Sequence, residues 1–347
     1  MRFLAILFLF LFFYLFEIQY SNASYEFNDS HFHVSNYVQK GISLSSALKI
    51  MDKTGVKRSA VFGIPLQQRW NMYTETKPSY YLHDDADLYY YSAVDAFLAM
   101  DYLFLPKKSQ ERFDPMITGF NPTDGYAIDH IRKMLETFPG VFSGIGEFSI
   151  KKEVVSSKIS GAKAQLSDPA LKKIFKFAKE VGLVVIFHSD IDSIRPVQKG
   201  VATYFNSTLN FFKSAKKPTV IWAHTGLGRY IKAGPRHHEM LEKALKKFPN
   251  LYFDISWDLV GKEIVKTNES IKKWGALIKR FPKRFIYGSD TVSPSEKSYL
   301  KELRVLNKLW ETLPKNVVMM VKKDNYERIF NRARLRVRSW EKKNIAR

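Results

Sequence analysis

Four histidines and two acidic residues stand at or near the ends of short hydrophobic segments in this 347-residue chain. Imidazole nitrogens and carboxylate oxygens are the side-chain atoms that hold catalytic metal ions and move protons in many enzymes. The six residues are His31, His33, Glu147, His188, His224 and Asp290. If each segment is a strand that emerges into a loop, these side chains can converge on one divalent cation, which indicates an enzyme.

The spacing of individual residues supports a shared metal ion. His31 and His33 are two apart on a strand, so their side chains project from the same face and can bind one ion together. Asp29 has the same parity and is expected to orient one imidazole. His188 ends a run of Val, Ile and Phe where packing alone gives no reason for a histidine. A buried Asp290 must be paired or bound to a cation, because an isolated carboxylate is costly to bury.

The elements that must position these residues repeat along the chain. Eight hydrophobic runs alternate with amphipathic stretches, which is the pattern of β-α units around a parallel sheet. Eight units predict an α/β fold, a closed (β/α)8 TIM barrel, and an open doubly wound sheet is the alternative. The predicted strands are residues 25–34, 58–64, 113–120, 141–150, 183–189, 219–224, 251–256 and 284–290.

A long insertion rich in tyrosine follows the second predicted strand, at residues 66–91. Extended loops on the C-terminal side of a barrel often cover the active site, so this insertion is a candidate lid or substrate wall. The alternative is that its aromatic side chains simply cover the side of the barrel.

Residues 1–23 have the pattern of a secretory signal peptide, with Arg2, an apolar run at 3–16 and a small-residue sequence that ends at Ala23. The run is shorter than the roughly 20 residues of a spanning helix, and an uncleaved N-terminal anchor is the alternative. Cleavage near Ala23 would leave residues 24–347 as one barrel domain without a further membrane span. The expected location is secreted or periplasmic.

Composition excludes several classes of site and argues against one class of partner. The chain has no cysteine, which rules out disulfide bonds, thiol catalysis and thiolate metal sites. Its net charge of +21 would attract polyanions, but the lysines are scattered along amphipathic stretches, as on solvated helix faces. We therefore expect a small-molecule substrate rather than a nucleic acid.

Taken in order, the motifs resemble the amidohydrolase superfamily, in particular its amidohydrolase-related branch of metal-dependent TIM-barrel hydrolases. The resemblance rests on Asp-Ser-His-Phe-His at 29–33, His188, His224, Gly-Ser-Asp at 288–290 and Asn-X-X-Arg-Ile-Phe at 325–330. It covers nearly the whole chain after the predicted signal peptide. A lone His-X-His pair is common, whereas these five elements in this order are specific.

The resemblance implies that four residues bind the metal, namely His31, His33, His188 and Asp290. It implies that His224 either binds a second ion or acts as an acid–base or polarising group. Glu147 is a further candidate ligand, because many two-metal members carry a carboxylated lysine on that strand. Lys151 and Lys152 follow too late to replace that lysine, so the number of ions, one or two, is left open. Ligands without sulfur favour Zn²⁺ and also suit Mn²⁺ or Fe²⁺.

The implied chemistry is hydrolysis of an amide, ester or lactone in a small organic substrate. Zinc would lower the pKa of a bound water from 15.7 to about 7. Asp290 would accept the proton and His224 would polarise the substrate. Arg229 is a candidate for binding a substrate carboxylate, with an exposed loop arginine as the alternative.

Residues outside the motifs receive weaker interpretations. Asp254 and Trp257, near the end of the seventh predicted strand, either line the cavity or only pack. Three histidines outside the motifs and the insertion are expected on the surface, and they are His130, His237 and His238.

Three other functions remain open. The same branch of the superfamily contains metal-dependent, non-oxidative decarboxylases of aromatic or unsaturated acids. The basic charge and the Gly-Ile-Gly-Glu sequence at 144–147 also resemble metal-dependent nucleases of the TatD type. A non-enzymatic, exported binding protein with a structural metal is the third alternative.

Overall fold

The computed structural model describes residues 26–71, 73, 76–82, 85–196, 202–215 and 218–345. The predicted signal peptide at 1–23 lies outside these residues. Within the described ranges, every helix is too short or too polar to cross a bilayer.

The centre of the molecule is a curled parallel sheet. In chain order, the strands of the described residues are β1 (Phe27–His33), β2 (Val56–Phe62), β3 (Leu66–Gln68), β4 (Leu88–Tyr90), β5 (Phe113–Ile117), β6 (Gly144–Lys151), β7 (Val184–Ser189), β8 (Thr219–Trp222), β9 (Leu251–Asp254), β10 (Phe285–Ile286) and β11 (Thr291–Val292). Nine of them form one sheet in the order β10-β9-β8-β7-β6-β5-β2-β1-β11.

Two short strands at the end of the sheet order, β10 and β11, close the barrel. β10 pairs with β9, and β11, a few residues later in the same segment, pairs with β1. Between them, the Ser30 N–H donates to the carbonyl of Tyr287 at 3.0 Å. This segment therefore joins both ends of the sheet, and the predicted TIM barrel is confirmed.

Helices alternate with the strands. They are α1 (Leu44–Thr54), α2 (Ala93–Phe104), α3 (Lys107–Gln110), α4 (Ala127–Thr137), α5 (Glu153–Lys158), α6 (Pro169–Val181), α7 (Phe205–Ser214), α8 (His237–Lys247), α9 (Asp258–Val265), α10 (Asn268–Arg280), α11 (Glu296–Arg304), α12 (Asn307–Trp310), α13 (Lys315–Met319) and α14 (Asn325–Asn344). Local sequence sets several ends: the Ser43 hydroxyl caps α1, and Gly55 ends it in the left-handed conformation that glycine tolerates.

The C-terminal helix α14 fills one end of the barrel. Tyr326, Ile329 and Phe330 pack into a buried cluster with strand residues that point into the barrel, including Ile186. Beside them, Asp114 accepts hydrogen bonds from a set of groups on β2 and α14, namely the Arg58 and Arg334 guanidinium groups and the Tyr326 hydroxyl. The apolar contacts and the satisfied carboxylate fix α14 against the start of the strands, opposite the strand ends that carry the histidines.

The insertion after β2 is an ordered part of the fold where it is described. β3 and β4 pair antiparallel, and Leu66, Tyr81 and Leu88 share a buried cluster with Val155 and Ile159. This cluster lies next to α5, just beyond the C-terminal end of β6.

Candidate metal centre

All six predicted residues meet at the C-terminal end of the barrel. His31 Nε2 and His33 Nε2 each lie 3.2 Å from Asp290 Oδ1. Glu147 faces them from β6, with Oε2 3.6 Å from His33 Nε2. The Oε1 atom of Glu147 lies 2.9 Å from His188 Nδ1 and 3.4 Å from His224 Nε2. The sequence prediction that these distant segments converge is correct in geometry, and the role of each residue stays a prediction.

The cluster is compatible with a metal ion. Three overlapping triads place their ligand atoms within 4.8 Å of one another, and they are His31–His224–Asp290, His31–His33–Glu147 and Glu147–His188–His224. The Nε2 atoms of His31 and His224 are buried and have no hydrogen-bond partner in the described part of the chain. Buried polar atoms rarely stay unpaired, so these inward nitrogens suit a cation held between them and the carboxylates.

Each imidazole is anchored through the nitrogen that does not face the centre. Such outer partners fix the ring and its tautomer in metal sites. The outer contacts are His31 Nδ1 to Asp254 Oδ2 at 2.8 Å, His33 Nδ1 to the Gly63 carbonyl at 3.5 Å, His188 Nε2 to Asp190 Oδ1 at 3.0 Å and His224 Nδ1 to Ser256 Oγ at 2.9 Å. Four rings are thereby oriented with one nitrogen directed inward.

Asp254, at the end of β9, connects two of these rings. Besides the His31 imidazole, it accepts the backbone N–H of His224 at 2.7 Å and the Ser256 hydroxyl at 2.6 Å. Burial alone would raise the pKa of Asp254, but His31 and His224 hold that pKa below its usual value. Asp254 is therefore a charged orienting group, a role that the sequence analysis did not predict.

The prediction that Asp29 orients an imidazole is wrong. Its Oδ1 accepts the backbone N–H groups of His31 and Ser289, at 2.9 and 2.8 Å. Its Oδ2 accepts the Ser289 and Tyr299 hydroxyls, both at 2.6 Å. Asp29 therefore ties the backbone of β1 to the segment that carries Asp290.

Unusual backbone conformations aim two of the site residues. The predicted strand at 219–224 is too long, because β8 ends at Trp222 and His224 lies in a tight turn with φ 57°. Asp290 also has a left-handed φ of 56°. Such conformations cost energy in residues other than glycine and persist where the surroundings fix them. Before Glu147, Gly146 allows close packing, since a Cβ there would lie 1.9 Å from the Ile186 carbonyl oxygen.

The electrostatics keep both central acids charged. Burial works against the charge of Glu147, but Lys152 and the neighbouring imidazoles of His188, His224 and His31 hold its pKa well below normal. Burial likewise opposes the charge of Asp290, yet His224 and His31 lower its pKa. For His31, burial lowers the pKa, while Asp290 and Asp254 raise it well above normal. The two charged carboxylates favour a bound cation.

Lys152 belongs to the site, although the sequence analysis assigned it no role. It directly follows β6, and its Nζ lies 3.6 Å from Glu147 Oε2, with 16 % of the side chain exposed. Burial lowers the pKa of Lys152, but Glu147, Tyr37 and Asp290 together raise that pKa above its usual value, so the ammonium group stays charged. The available signal was its position immediately after a strand that carries a predicted ligand.

A small cavity of about 20 Å³ adjoins the cluster and is lined by His188, Lys152, Arg229, Tyr81 and Trp257 among others. Arg229 therefore lies beside the centre as expected of a substrate residue, although its role stays a prediction. The presence of Tyr81 makes part of the insertion a wall of this cavity.

The three histidines predicted at the surface are less exposed than the sequence indicated. His237 is fully buried in the first turn of α8, and the partly buried His238 packs on Trp274 with ring centroids 4.9 Å apart. His130 Nε2 contacts Asp95 Oδ2 at 2.8 Å. The surface prediction is wrong for His237, because packing against α10 buries a residue that sequence pattern leaves in a loop.

Comparisons with known proteins support the fold. No protein-family model matches the chain, and no curated protein matches its sequence. A probable 2-pyrone-4,6-dicarboxylic acid hydrolase from Acinetobacter baumannii, with citric acid bound, superposes with a TM-score of 0.56 at 11% identity, over 88% of this chain and 99% of that one. An amidohydrolase from Burkholderia multivorans with bound zinc gives 0.54 at 11%, over 88% and 99%.

A third solved structure, a 2,6-dihydroxybenzoate decarboxylase complexed with 2,6-dihydroxybenzoate, gives a TM-score of 0.50 at 11% identity, over 88% of this chain and 98% of that one. At such identities the likeness establishes the fold alone. This chain thus shares its TIM-barrel fold with enzymes of the amidohydrolase type, as the motifs in its sequence predicted.

Proposed function

We propose that the chain is an exported, metal-dependent hydrolase that cleaves an amide, ester or lactone bond in a small organic molecule. The observation that carries the proposal is the convergence of four anchored imidazoles and two charged carboxylates beside a cavity. His31, His33, His188, Glu147 and Asp290 would hold the ion. A divalent cation bound there would supply a Lewis acid and lower the pKa of a bound water.

Two residues have positions suited to the proton transfers. Asp290 is the more exposed of the two central carboxylates, with 10 % of its side chain exposed against 4 % for Glu147. Its Oδ2 can accept a proton from the attacking water and return it to the leaving group. His224 Nε2 lies 3.8 Å from that oxygen and can polarise the substrate carbonyl.

Zinc is the favoured ion, because the site offers nitrogen and oxygen ligands without sulfur, and Mn²⁺ and Fe²⁺ have similar preferences. The amidohydrolase of the same fold with bound zinc supports this choice. Elemental analysis of purified protein would give both the identity of the ion and the number bound, one or two.

The test is a screen of metal-loaded protein against esters, lactones and amides, repeated with His188→Ala. We expect this variant to lose turnover while its circular dichroism stays unchanged. The matched control is His130→Ala, which also removes an imidazole bound to a carboxylate but lies outside the metal cluster. Full turnover in His188→Ala would refute the proposed site.

Export is supported by the sequence pattern of residues 1–23 alone. Mass spectrometry of the protein recovered outside the cytoplasm should show a chain that begins after Ala23. An intact N-terminus on protein retained in the cytoplasm would contradict export.

Non-oxidative decarboxylation of a carboxylic acid is the second candidate, favoured by the position of Arg229 on the cavity that His188 also lines. Incubation in ¹⁸O-labelled water separates the two reactions. Hydrolysis places the label in a product acid, whereas decarboxylation releases carbon dioxide and leaves no labelled carboxylate in the organic product.

A further inference from the structure

A groove of about 490 Å³ lies beside the C-terminal helix α14, at the end of the barrel opposite the metal cluster. One wall is α14, and the other consists of the end of α6 and the residues at the starts of β7 and β8. We propose that this groove binds an extended anion that carries several phosphate groups. The site is separate from the proposed hydrolase centre.

Positive charge dominates the lining of the groove. Four cationic side chains line it against one acidic side chain, that of Glu180, which leaves an excess of three positive charges. The four cations are Lys179, Arg332, Arg336 and Lys343, and all of them are exposed. A groove with this balance of charge attracts anions in preference to neutral or cationic molecules.

The groove cations differ from other basic residues of α14 in their lack of partners. Arg334 donates to Asp114, and Arg338 forms an ion pair with Glu341. None of the four groove cations has a hydrogen bond or an ion pair with another residue in the described ranges. Like charges four residues apart on a helix, as at positions 332 and 336, destabilise it. A bound anion would relieve that repulsion.

The spacing of the cations on α14 favours a chain of phosphates over one compact anion. Arg332, Arg336 and Lys343 share a face of the helix, because they are separated by four and then seven residues. At 1.5 Å per residue, this row extends about 16 Å along the helix axis. A single phosphate reaches only part of such a row, whereas linked phosphates can follow it. Guanidinium groups match phosphate oxygens in pairs of hydrogen bonds.

Gly182 gives Arg336 its place in the wall of the groove. The glycine ends α6 with a φ of 93°. A Cβ at this position would lie 2.4 Å from the Cβ and 3.1 Å from the Cδ of Arg336, so the stem of the arginine packs directly on the glycine. This contact restricts the side chain before any ligand arrives, which reduces the entropy lost on binding.

The aromatic lining argues against single-stranded nucleic acid as the ligand. Proteins that bind such strands usually offer exposed rings on which the bases stack. The one aromatic residue that lines the groove, Trp340, is only 8 % exposed and packs on Phe177 with ring centroids 5.8 Å apart. The groove therefore suits the phosphate chain itself, either as inorganic oligophosphate or as part of a nucleotide.

The test is calorimetric titration of the metal-loaded protein with tripolyphosphate, ATP and orthophosphate, at about 150 mM ionic strength to screen weak attraction to surface charge. The groove variant combines Lys179→Gln with Arg336→Gln and so removes one cation from each wall. The matched control combines Lys172→Gln with Lys342→Gln. These lysines are exposed residues of the same two helices, α6 and α14, but they do not line the groove.

We expect wild type and the control to bind tripolyphosphate at least about tenfold more tightly than orthophosphate, because the longer anion reaches more of the cations. The groove variant should lose about tenfold or more in affinity for tripolyphosphate and for ATP, because two charge-assisted contacts are missing. Equal affinities for ATP and tripolyphosphate would show that the phosphate chain alone is recognised, and a preference for ATP would identify a nucleotide.

Tripolyphosphate also binds metal ions, but any metal that it removes from the cluster gives the same heat in all three proteins. The difference between the proteins therefore measures the groove. Metal content and any hydrolase activity should be equal in the three proteins before titration, because the groove lies at the other end of the barrel.

Orthophosphate binding as tight as that of tripolyphosphate, or tripolyphosphate heats that are the same in all three proteins, would overturn the proposal. Equal losses of affinity in the two double variants would show an effect of net charge alone and would also overturn it. A single-stranded oligonucleotide that displaces tripolyphosphate at lower concentration would assign the groove to nucleic acid and refute the proposed ligand.

Discussion

Replacing Asp254 by asparagine should weaken metal binding much more than it weakens the fold. A carboxylate has only acceptor atoms, so the Oδ2 of Asp254, 2.8 Å from His31 Nδ1, requires the proton on that nitrogen. In the neutral imidazole that binds a metal ion, the Nε2 of His31 then carries the lone pair and faces the cluster. This is the tautomer that a metal ion needs.

Asparagine would reverse this tautomer. Its oxygen can keep the bonds to the His224 backbone N–H and the Ser256 hydroxyl, which places the amide NH₂ against His31 Nδ1. Nδ1 must then accept, and the proton moves to Nε2, where it blocks the lone pair. Rotating the amide gives no relief, because the NH₂ group would face the His224 N–H. Outer partners of metal ligands contribute 10- to 100-fold in affinity, and we expect the upper end, about 100-fold or 2.7 kcal/mol.

The assay is competition for Zn²⁺ with a chromophoric chelator at neutral pH, together with urea unfolding of each variant. The control Asp95→Asn also removes a buried carboxylate that contacts an imidazole, His130, and that accepts two backbone N–H groups, from Thr118 and Gly119. It should lose comparable stability but keep its zinc affinity. A zinc affinity of Asp254→Asn within about threefold of wild type, or an equal loss in both variants, would refute the tautomer argument.

Three further predictions concern stability. Phe330→Ala should lower the free energy of unfolding by about 3 to 5 kcal/mol, because it opens a cavity in the buried cluster under the barrel, whereas Phe104→Ala, at a position 83 % exposed, should change it little in the same denaturation experiment. Burial lowers the pKa of His237 from 6.5 to about 3, so below pH 6.5 the unfolded chain binds a proton that the folded chain does not. Between about pH 7.5 and about pH 5, the free energy of unfolding of wild type should therefore fall by about 2 kcal/mol relative to that of His237→Leu. Parallel profiles of unfolding free energy against pH for the two proteins would contradict this. Dialysis against a chelator should lower the melting temperature of the protein. Zinc at about 100 times its Kd should then raise the free energy of unfolding by about 2.7 kcal/mol, because the ion binds only the folded state. A melting temperature that does not respond to either treatment would argue against the site.

The sequence allowed the barrel and the members of the metal cluster to be predicted for a physical reason. Buried parallel strands are continuous apolar runs, so a histidine or aspartate at the end of one is conspicuous. His188 and His224 were found in this way, and the shared geometry of strand ends in a barrel predicted their convergence.

The groups that orient the cluster were not predicted, because their partners depend on tertiary packing. Asp254 contacts the imidazole of His31 across 223 residues of chain, and no local spacing encodes that bond. The position of Lys152 directly after β6 places it near a predicted ligand, but its contact with Glu147 depends on tertiary packing in the same way. His237 was misplaced because Trp274, on a different helix, covers it.

The way the barrel closes has a consequence for how the chain is made. β1 pairs with β11, and α14 fills the space beneath the strands, so the first strand waits for partners some 260 to 300 residues away. Contacts of such long sequence separation form slowly, and here they cannot form until the residues of β11 and α14 have been synthesised. A chain whose barrel stays open until then remains unfolded, which agrees with the export that we propose.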